Sequence, residues 1–332
     1  MPVLVCQSEL AIHVPPDSQD RHRFGPHPGL GTMGMSFSYA TAHNEQNNLA
    51  VLRAAWEKGC RLWDTADMYG DHFMGENEQL LSKAFHSGIP RKDIFLCSKF
   101  GNWRNYETGE RKVLGTPEYV KSAIEKTLKN LDVEYVDLYY QHRVDKNTPI
   151  EDTVQALKEL QSAGKIRYIG LSECSASTLR RAYAVAPIAA VQVEYSLWET
   201  SIERSGLLDA CKELGVARVA SRKDLEGDSR LGHPRFSEEN FPKNLKLVDE
   251  LNNLAKKKEC TASQLAIAWV HAQWEGVIAI PGTTRLAGLE ENIASNDVKF
   301  TEAELKEIRT ILDSFKTAGD RYPAPQMAAL DH

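Results

Sequence analysis

No stretch of this chain approaches the ~18 consecutive apolar residues of a membrane span. The short run Val3-Leu4-Val5 is followed by Glu9, Asp17 and Asp20, which fits neither a signal peptide nor a transit peptide. An excess of positive charge is also lacking. With 40 Lys and Arg against 46 Asp and Glu, the net charge is −6, which argues against nucleic acid or an anionic membrane surface as a main partner. The six cysteines, Cys6, Cys60, Cys97, Cys174, Cys211 and Cys260, form no C-x-x-C pair and have no His at metal-ligand spacing. Neither a metal site nor a disulfide framework is indicated. The thiols read as reduced, and the cytoplasm is the expected compartment.

What is present is ordinary globular material. The 332 residues are 42% apolar and 26% charged, enough to bury a sizeable core. Because α/β barrels run to ~250 residues or more around one core, a single domain can hold most of the chain. Beyond His43, short apolar runs alternate with longer amphipathic segments, the signature of parallel strands with covering helices. Strands are expected at Gly29-Leu30-Gly31, Arg61-Leu62-Trp63, 94–99, 136–140, 166–170, 190–193, near 216–219 and at 277–280. Thr116-Pro117 and Thr148-Pro149 offer an N-cap followed by Pro at the first helical position. Thr148 with Glu151, Thr261 with Gln264 and Thr301 with Glu304 have capping-box spacing. Eight such units favour a (β/α)8 TIM barrel, an α/β fold, over an open doubly wound sheet.

Gly29-Leu30-Gly31-Thr32-Met33-Gly34 matches the dinucleotide fingerprint G-x-G-x-x-G. That fingerprint needs a strand before it and a helix opening within it. Here Arg23-Phe24-Gly25-Pro26-His27-Pro28 precedes and Ser36-Phe37-Ser38-Tyr39 follows, so a Rossmann reading is rejected. The glycines fit close backbone approach at a strand end.

Four polar residues fall where a barrel places its chemistry, at the C-terminal ends of strands. Asp64 and Tyr69 follow the second strand, Lys99 ends the third and His142 ends the fourth. Tyr is a poor acid at neutral pH, but a neighbouring ammonium favours the phenolate. Asp64 can hold the Lys99 ammonium charged, and His142 can hydrogen-bond a substrate oxygen. Together they suit Tyr69 to give a proton to a carbonyl oxygen as it is reduced, without a metal.

Trp63-Asp64-Thr65-Ala66-Asp67-Met68-Tyr69-Gly70, Asp137-Leu138-Tyr139-Tyr140-Gln141-His142-Arg143, the run from Gly164 to Glu173, Val191-Gln192-Val193-Glu194-Tyr195-Ser196 and Ile280-Pro281-Gly282-Thr283 resemble motifs of the aldo-keto reductase superfamily. The likeness is to its microbial branch of NADP-dependent aldehyde reductases. It implies a tetrad of Asp64, Tyr69, Lys99 and His142, NADPH as cofactor and a small-molecule carbonyl substrate. It further implies that Ser172 and Gln192 hydrogen-bond the nicotinamide carboxamide, and that Gly31 and Glu173 belong to the cofactor site, with Glu173 where many relatives carry Asn. Gly282, Thr283 and Arg285 would lie near the 2′-phosphate, and Glu291 and Asn292 near the adenine.

Two departures from the resemblance bear on these expectations. Relatives run from the seventh strand into a Tyr- and Gly-rich segment around the pyrophosphate, whereas here Val216-Ala217-Arg218-Val219-Ala220 passes directly to Ser221-Arg222-Lys223. Arg218 interrupts a run that should be apolar, so the seventh strand is expected to be shortened or disrupted unless it is rebuilt from Arg218-Val219-Ala220. Residues 1–28 also depart, giving the expected division into an atypical extension (1–28), the barrel (29–315) and a C-terminal tail (316–332). Both departures fit a splice or gene-model variant. The alternative to an aldehyde reductase is therefore an impaired barrel acting as a binding or regulatory protein. Trp103, Phe73 and Met74 are candidates to line an apolar pocket for an aromatic aldehyde or pyridoxal.

Overall fold

Strands buried on both faces read as unbroken apolar runs, because helices cover one side and the barrel interior the other. Phe95–Phe100 and Val136–Gln141 are buried at every position. The computed structural model describes residues 28–37, 43–214, 216–220, 233–274 and 276–331. Most of the atypical N-terminal extension, and the sequence departure after Ala220, lie outside the described residues.

The strands are β1 (Leu30–Gly31), β2 (Leu62–Asp64), β3 (Phe95–Phe100), the hairpin β4 (Asn102–Arg104) and β5 (Arg111–Val113), β6 (Val136–Gln141), β7 (Ile166–Ser172), β8 (Ala190–Gln192), β9 (Ala217–Ala220) and β10 (Val277–Ala279). Eight of them form one parallel sheet in the order β1-β2-β3-β6-β7-β8-β9-β10. The sheet curls back on itself. Gly29 N donates to Ala279 O at 2.7 Å, Gly31 N to Pro281 O at 3.3 Å, and Gly31 bridges Gly282 in parallel. The seam between first and last strands is thus thinner than a full ladder. A Cβ on Gly31 would stand 2.8 Å from Ile280 O, so the approach requires glycine.

The seventh barrel strand is rebuilt from Ala217–Ala220, the second of the two expectations, and is not lost. Arg218 pairs with both Val191 and Val277, and Val219 with both Gln192 and Ile278. Parallel pairing is a backbone property, so an Arg in the run does not prevent it. The (β/α)8 order is complete.

Helices α1 (Glu45–Glu57), α2 (Glu76–His86), α3 (Pro117–Leu131), α4 (Ile150–Ser162), α5 (Ala176–Val185), α6 (Leu207–Leu214), α7 (Phe241–Lys257), α8 (Ala262–Ala272), α9 (Leu286–Ala294) and α10 (Glu302–Ser314) cover the sheet, with a short α11 (Ala324–Met327) near the end. In α3, Val120, Ala123, Ile124, Thr127 and Leu131 recur every three or four residues and are the buried face. Thr116 accepts from Tyr119 N and Pro117 opens the helix, as its sequence predicts. Capping boxes form at Thr261 and Thr301. The Thr148 cap does not form: α4 starts one residue late behind Pro149, and Thr148 Oγ1 donates to Asp145 Oδ2 at 2.9 Å. Among the described residues no helix is long and apolar enough to cross a membrane.

Candidate active site

The end of β2 delivers Asp64, the penultimate residue of β3 is Lys99, and His142 follows β6 directly. In neighbouring parallel strands these positions lie at one rim. Lys99 has no exposed surface. Its Nζ donates to Asp64 Oδ1 at 2.5 Å, Thr65 O at 2.9 Å and Tyr69 OH at 3.1 Å. An ammonium has three protons and no acceptor, so these contacts use its whole donor capacity. The Tyr69 ring stands edge-on to His142, with centroids 5.7 Å apart and planes at 85°.

Charge in this cluster follows from burial. Burial raises the Asp64 carboxyl, and Lys99 beside it opposes that rise. His142 is held well below the usual imidazole range, first by burial and then by Arg143 and Lys99. Its ring is therefore neutral near pH 7 and can donate from one nitrogen. Nδ1 of His142 has no hydrogen-bond partner among the described residues.

The loop carrying Tyr69 is held by a residue that sequence reasoning missed. Asn77, in the first turn of α2, is fully buried. Its Oδ1 accepts from Thr32 Oγ1 (2.6 Å) and Thr65 Oγ1 (2.7 Å), while Nδ2 donates to Thr32 O (2.9 Å) and Ser36 Oγ (2.6 Å). Ser36 Oγ in turn donates to Tyr69 O at 3.2 Å, and Tyr106 OH donates to Gly70 O at 2.7 Å. Nothing in a Glu-Asn-Glu-Gln helix start marks Asn77 as an internal strut.

Met33, Phe37 and Met74 pack against Ala66, Met68 and Tyr69, and Phe37 stacks on Tyr69 at 6.2 Å. Of the other pocket candidates, Phe73 is 43% exposed and Trp103 lies half-buried on β4, with Lys112 Nζ 5.4 Å from its ring centroid.

Gln192 and Ser172 are cross-strand partners at the ends of β8 and β7. Gln192 Nε2 donates to Asp64 Oδ2 at 3.1 Å, which joins this pair to the tetrad. Its Oε1 is buried with no partner among the described residues. Ser172 Oγ lies 3.5 Å from Arg143 Nη1, which also donates to His142 O at 2.7 Å. Arg143 is a second residue the sequence did not single out. Glu173 does not project alone: its Oε1 accepts from Glu194 N at 3.2 Å and its Oε2 lies 2.5 Å from Arg321 Nη2.

The remaining expected residues form a separate group after β10. Gly282 joins β1 at the seam. Thr283 Oγ1 accepts from Arg285 N at 3.1 Å, and Arg285, exposed, occupies the N-cap of α9. Glu291 accepts from Thr261 Oγ1 at 2.7 Å, and Asn292 is buried. The exposed start of α9 leaves helical N–H groups directed outward, the arrangement that favours an anion.

The aldo/keto reductase family model matches residues 29–313. The chain belongs to the aldo/keto reductase family. It is 44% identical to the aldo-keto reductase yakc [NADP(+)] of Schizosaccharomyces pombe, covering 90% of this chain and 92% of that protein. It is 43% identical to a probable aldo-keto reductase 1 of Glycine max, covering 89% and 87% respectively. Among solved structures, the glycerol dehydrogenase of Gluconobacter oxydans superposes with a TM-score of 0.77 at 25% identity, covering 88% of this chain and 93% of that one. An aldo-keto reductase of Klebsiella pneumoniae in complex with NADPH gives 0.68 at 25% identity, covering 89% and 93%. This aldo-keto reductase therefore keeps the family barrel over the span that its own motifs mark out.

Proposed function

We propose that this aldo-keto reductase reduces aldehydes to alcohols with NADPH and that Tyr69 is its general acid. The observation that carries the reading is the fixing of Lys99 Nζ between Asp64, Thr65 O and Tyr69 OH. An ammonium 3.1 Å from the phenol oxygen stabilises negative charge there, so the proton leaves Tyr69 more easily. Asp64 offsets the cost of burying that ammonium and fixes its direction. The neutral His142, edge-on to Tyr69, is placed to donate to the same substrate oxygen and hold the carbonyl in line.

The residues present fit a nicotinamide cofactor. Gln192 Oε1 is a buried acceptor lacking a donor, beside Ser172 and one contact from Asp64, and a carboxamide N–H2 is a donor of the right kind. NADPH, when bound, supplies the hydride. Ser172, Glu173 and Gln192 would hold or shape the nicotinamide end, Gly31 the backbone approach beside it, and Gly282, Thr283, Arg285, Glu291 and Asn292 the adenosine-phosphate end. The relatives' names support NADP: the S. pombe protein carries NADP(+) in its name, and the K. pneumoniae structure contains NADPH.

Met33, Phe37 and Met74 beside Tyr69 support an aromatic aldehyde or pyridoxal as substrate, with the exposed Phe73 and half-buried Trp103 as the other candidates. The impaired-barrel alternative rests on the missing pyrophosphate segment, which falls beyond Ala220 outside the described residues; the seventh strand before it is paired on both sides. The test is NADPH fluorescence titration followed by NADPH consumption across a panel of benzaldehydes, pyridoxal and short aliphatic aldehydes. Saturable binding with turnover highest on the aromatic members supports the reading. Binding without turnover on any aldehyde would favour the regulatory alternative.

A further inference from the structure

Five buried charged side chains outside the tetrad run from the end of β7 to the C-terminal segment. Arg321 Nη2 lies 2.5 Å from Glu173 Oε2 and its Nε 3.0 Å from Glu194 Oε2. Arg235 Nη1 lies 3.5 Å from Glu194 Oε1 and its Nη2 2.5 Å from Glu199 Oε2. All five residues are less than a tenth exposed. Burying so many charges costs more than their mutual attraction commonly returns, so their placement calls for a reason beyond stability.

The placement of Glu173 supplies one. It follows Ser172 directly, and its backbone has φ +51°, a left-handed conformation that non-glycine residues rarely adopt. Its N donates to Gln192 O at 2.8 Å, the contact that closes the ladder beyond the Ser172–Gln192 pair. The C-terminal segment clasps the same turn: Asp331 N donates to Glu173 O at 3.4 Å, and Ser175 N donates to Asp331 Oδ2 at 2.9 Å. Burial would raise the Glu173 carboxyl, but Arg321 and Arg143 hold it below its usual range.

We propose that Glu173 and Arg321 are positioning residues for the nicotinamide carboxamide, and that through them the C-terminal segment is part of the cofactor site. The inference rests on the functional reading above. Glu173 does not touch the carboxamide. Its carboxylate is committed to Arg321 and Glu194 N, and that lock holds the left-handed turn that sets Ser172 and Gln192 opposite one another. Arg321 acts on the turn through Glu173 while also pairing with Glu194, from a segment outside the eight strand–helix units.

The test is equilibrium binding of NADP+ and of 2′-phospho-ADP-ribose, which lacks the nicotinamide, to the full chain. Arg321→Met should weaken NADP+ by about tenfold while 2′-phospho-ADP-ribose stays within about twofold. Should Arg321→Met fail to fold because it strands the buried Glu173 carboxylate, the neutral pair Glu173→Gln/Arg321→Met, in which Glu194 keeps Arg235, carries the test, with the same selective loss expected. Equal weakening of both ligands in either variant would mean a merely structural role, and unchanged NADP+ affinity would mean no role. Both results overturn the proposal. A wild-type chain that binds neither ligand would instead overturn the functional reading and this inference with it.

Discussion

Lys99 is buried without exposed surface, and at residue scale its three contacts carry the proposed chemistry. Removing one partner of a buried ion pair typically costs 3–5 kcal/mol, because the other charge is left uncompensated. Lys99→Met should therefore lower the melting temperature and reduce aldehyde turnover by ~10²–10⁴-fold. The pair Asp64→Asn/Lys99→Met, which leaves no stranded charge, should regain much of the stability and none of the turnover. Calorimetry and steady-state rates on the same preparations separate these effects; activity returning with stability would remove Lys99 from the mechanism. Arg285 is the only cation in the run from Pro281 to Gly288. A charge-assisted contact to phosphate contributes about 1.5–3 kcal/mol, so Arg285→Ala should weaken NADPH about ten- to a hundredfold and leave NADH nearly unchanged. Equal losses would assign Arg285 a structural part at the start of α9. At this scale the grouping of Asp64, Tyr69, Lys99 and His142 was legible, because residue type and strand-end position coincide. Asn77, Arg143 and Arg321 were not, since each acts through contacts between elements far apart in sequence.

At the scale of elements, the barrel strands were legible as short apolar runs between well-capped helices. The β4–β5 hairpin was missed because Asn102–Arg104 and Arg111–Val113 are polar and partly exposed, with no buried face to impose a period. One inter-element contact makes a pH prediction. Ala279 N in β10 donates to Nε2 of His271 in α8 at 2.9 Å, while Ala279 O accepts from Gly29 N across the seam. Burial, with Lys299 nearby, holds His271 down at about 4 against an ordinary 6.5. The unfolded chain therefore takes up this proton first as pH falls. Its contribution to stability is complete above about 6.5 and is lost as pH drops toward 4, on the order of 3 kcal/mol in all. His271→Gln keeps an acceptor but cannot titrate. Urea unfolding at stepped pH should show a shallower acid loss for it than for the wild type, and parallel profiles would exclude His271.

At the scale of the whole molecule, the barrel depends on the strand whose sequence departs most from the family. Of the two outcomes left open at Arg218, the rebuilt strand is the one found, because pairing in a parallel ladder is made by the main chain and β9 pairs on both sides. Val219→Pro removes a ladder donor from a doubly paired strand and should cost ~3 kcal/mol or more. The expected readout is a lower melting temperature for the entire barrel in one cooperative transition; an unchanged melt would mean that β9 does not contribute to closure.

All of these scales meet in the claim that the barrel rim makes Tyr69 a proton donor to a carbonyl oxygen. The most direct measurement is aldehyde turnover by Tyr69→Phe together with its NADPH dissociation constant. The phenol serves the substrate oxygen, so turnover should fall ~10²–10⁴-fold while NADPH affinity stays within about threefold. A Tyr69→Phe protein that binds NADPH normally and keeps more than about half of its turnover would contradict the account, since general acid catalysis cannot be worth so little.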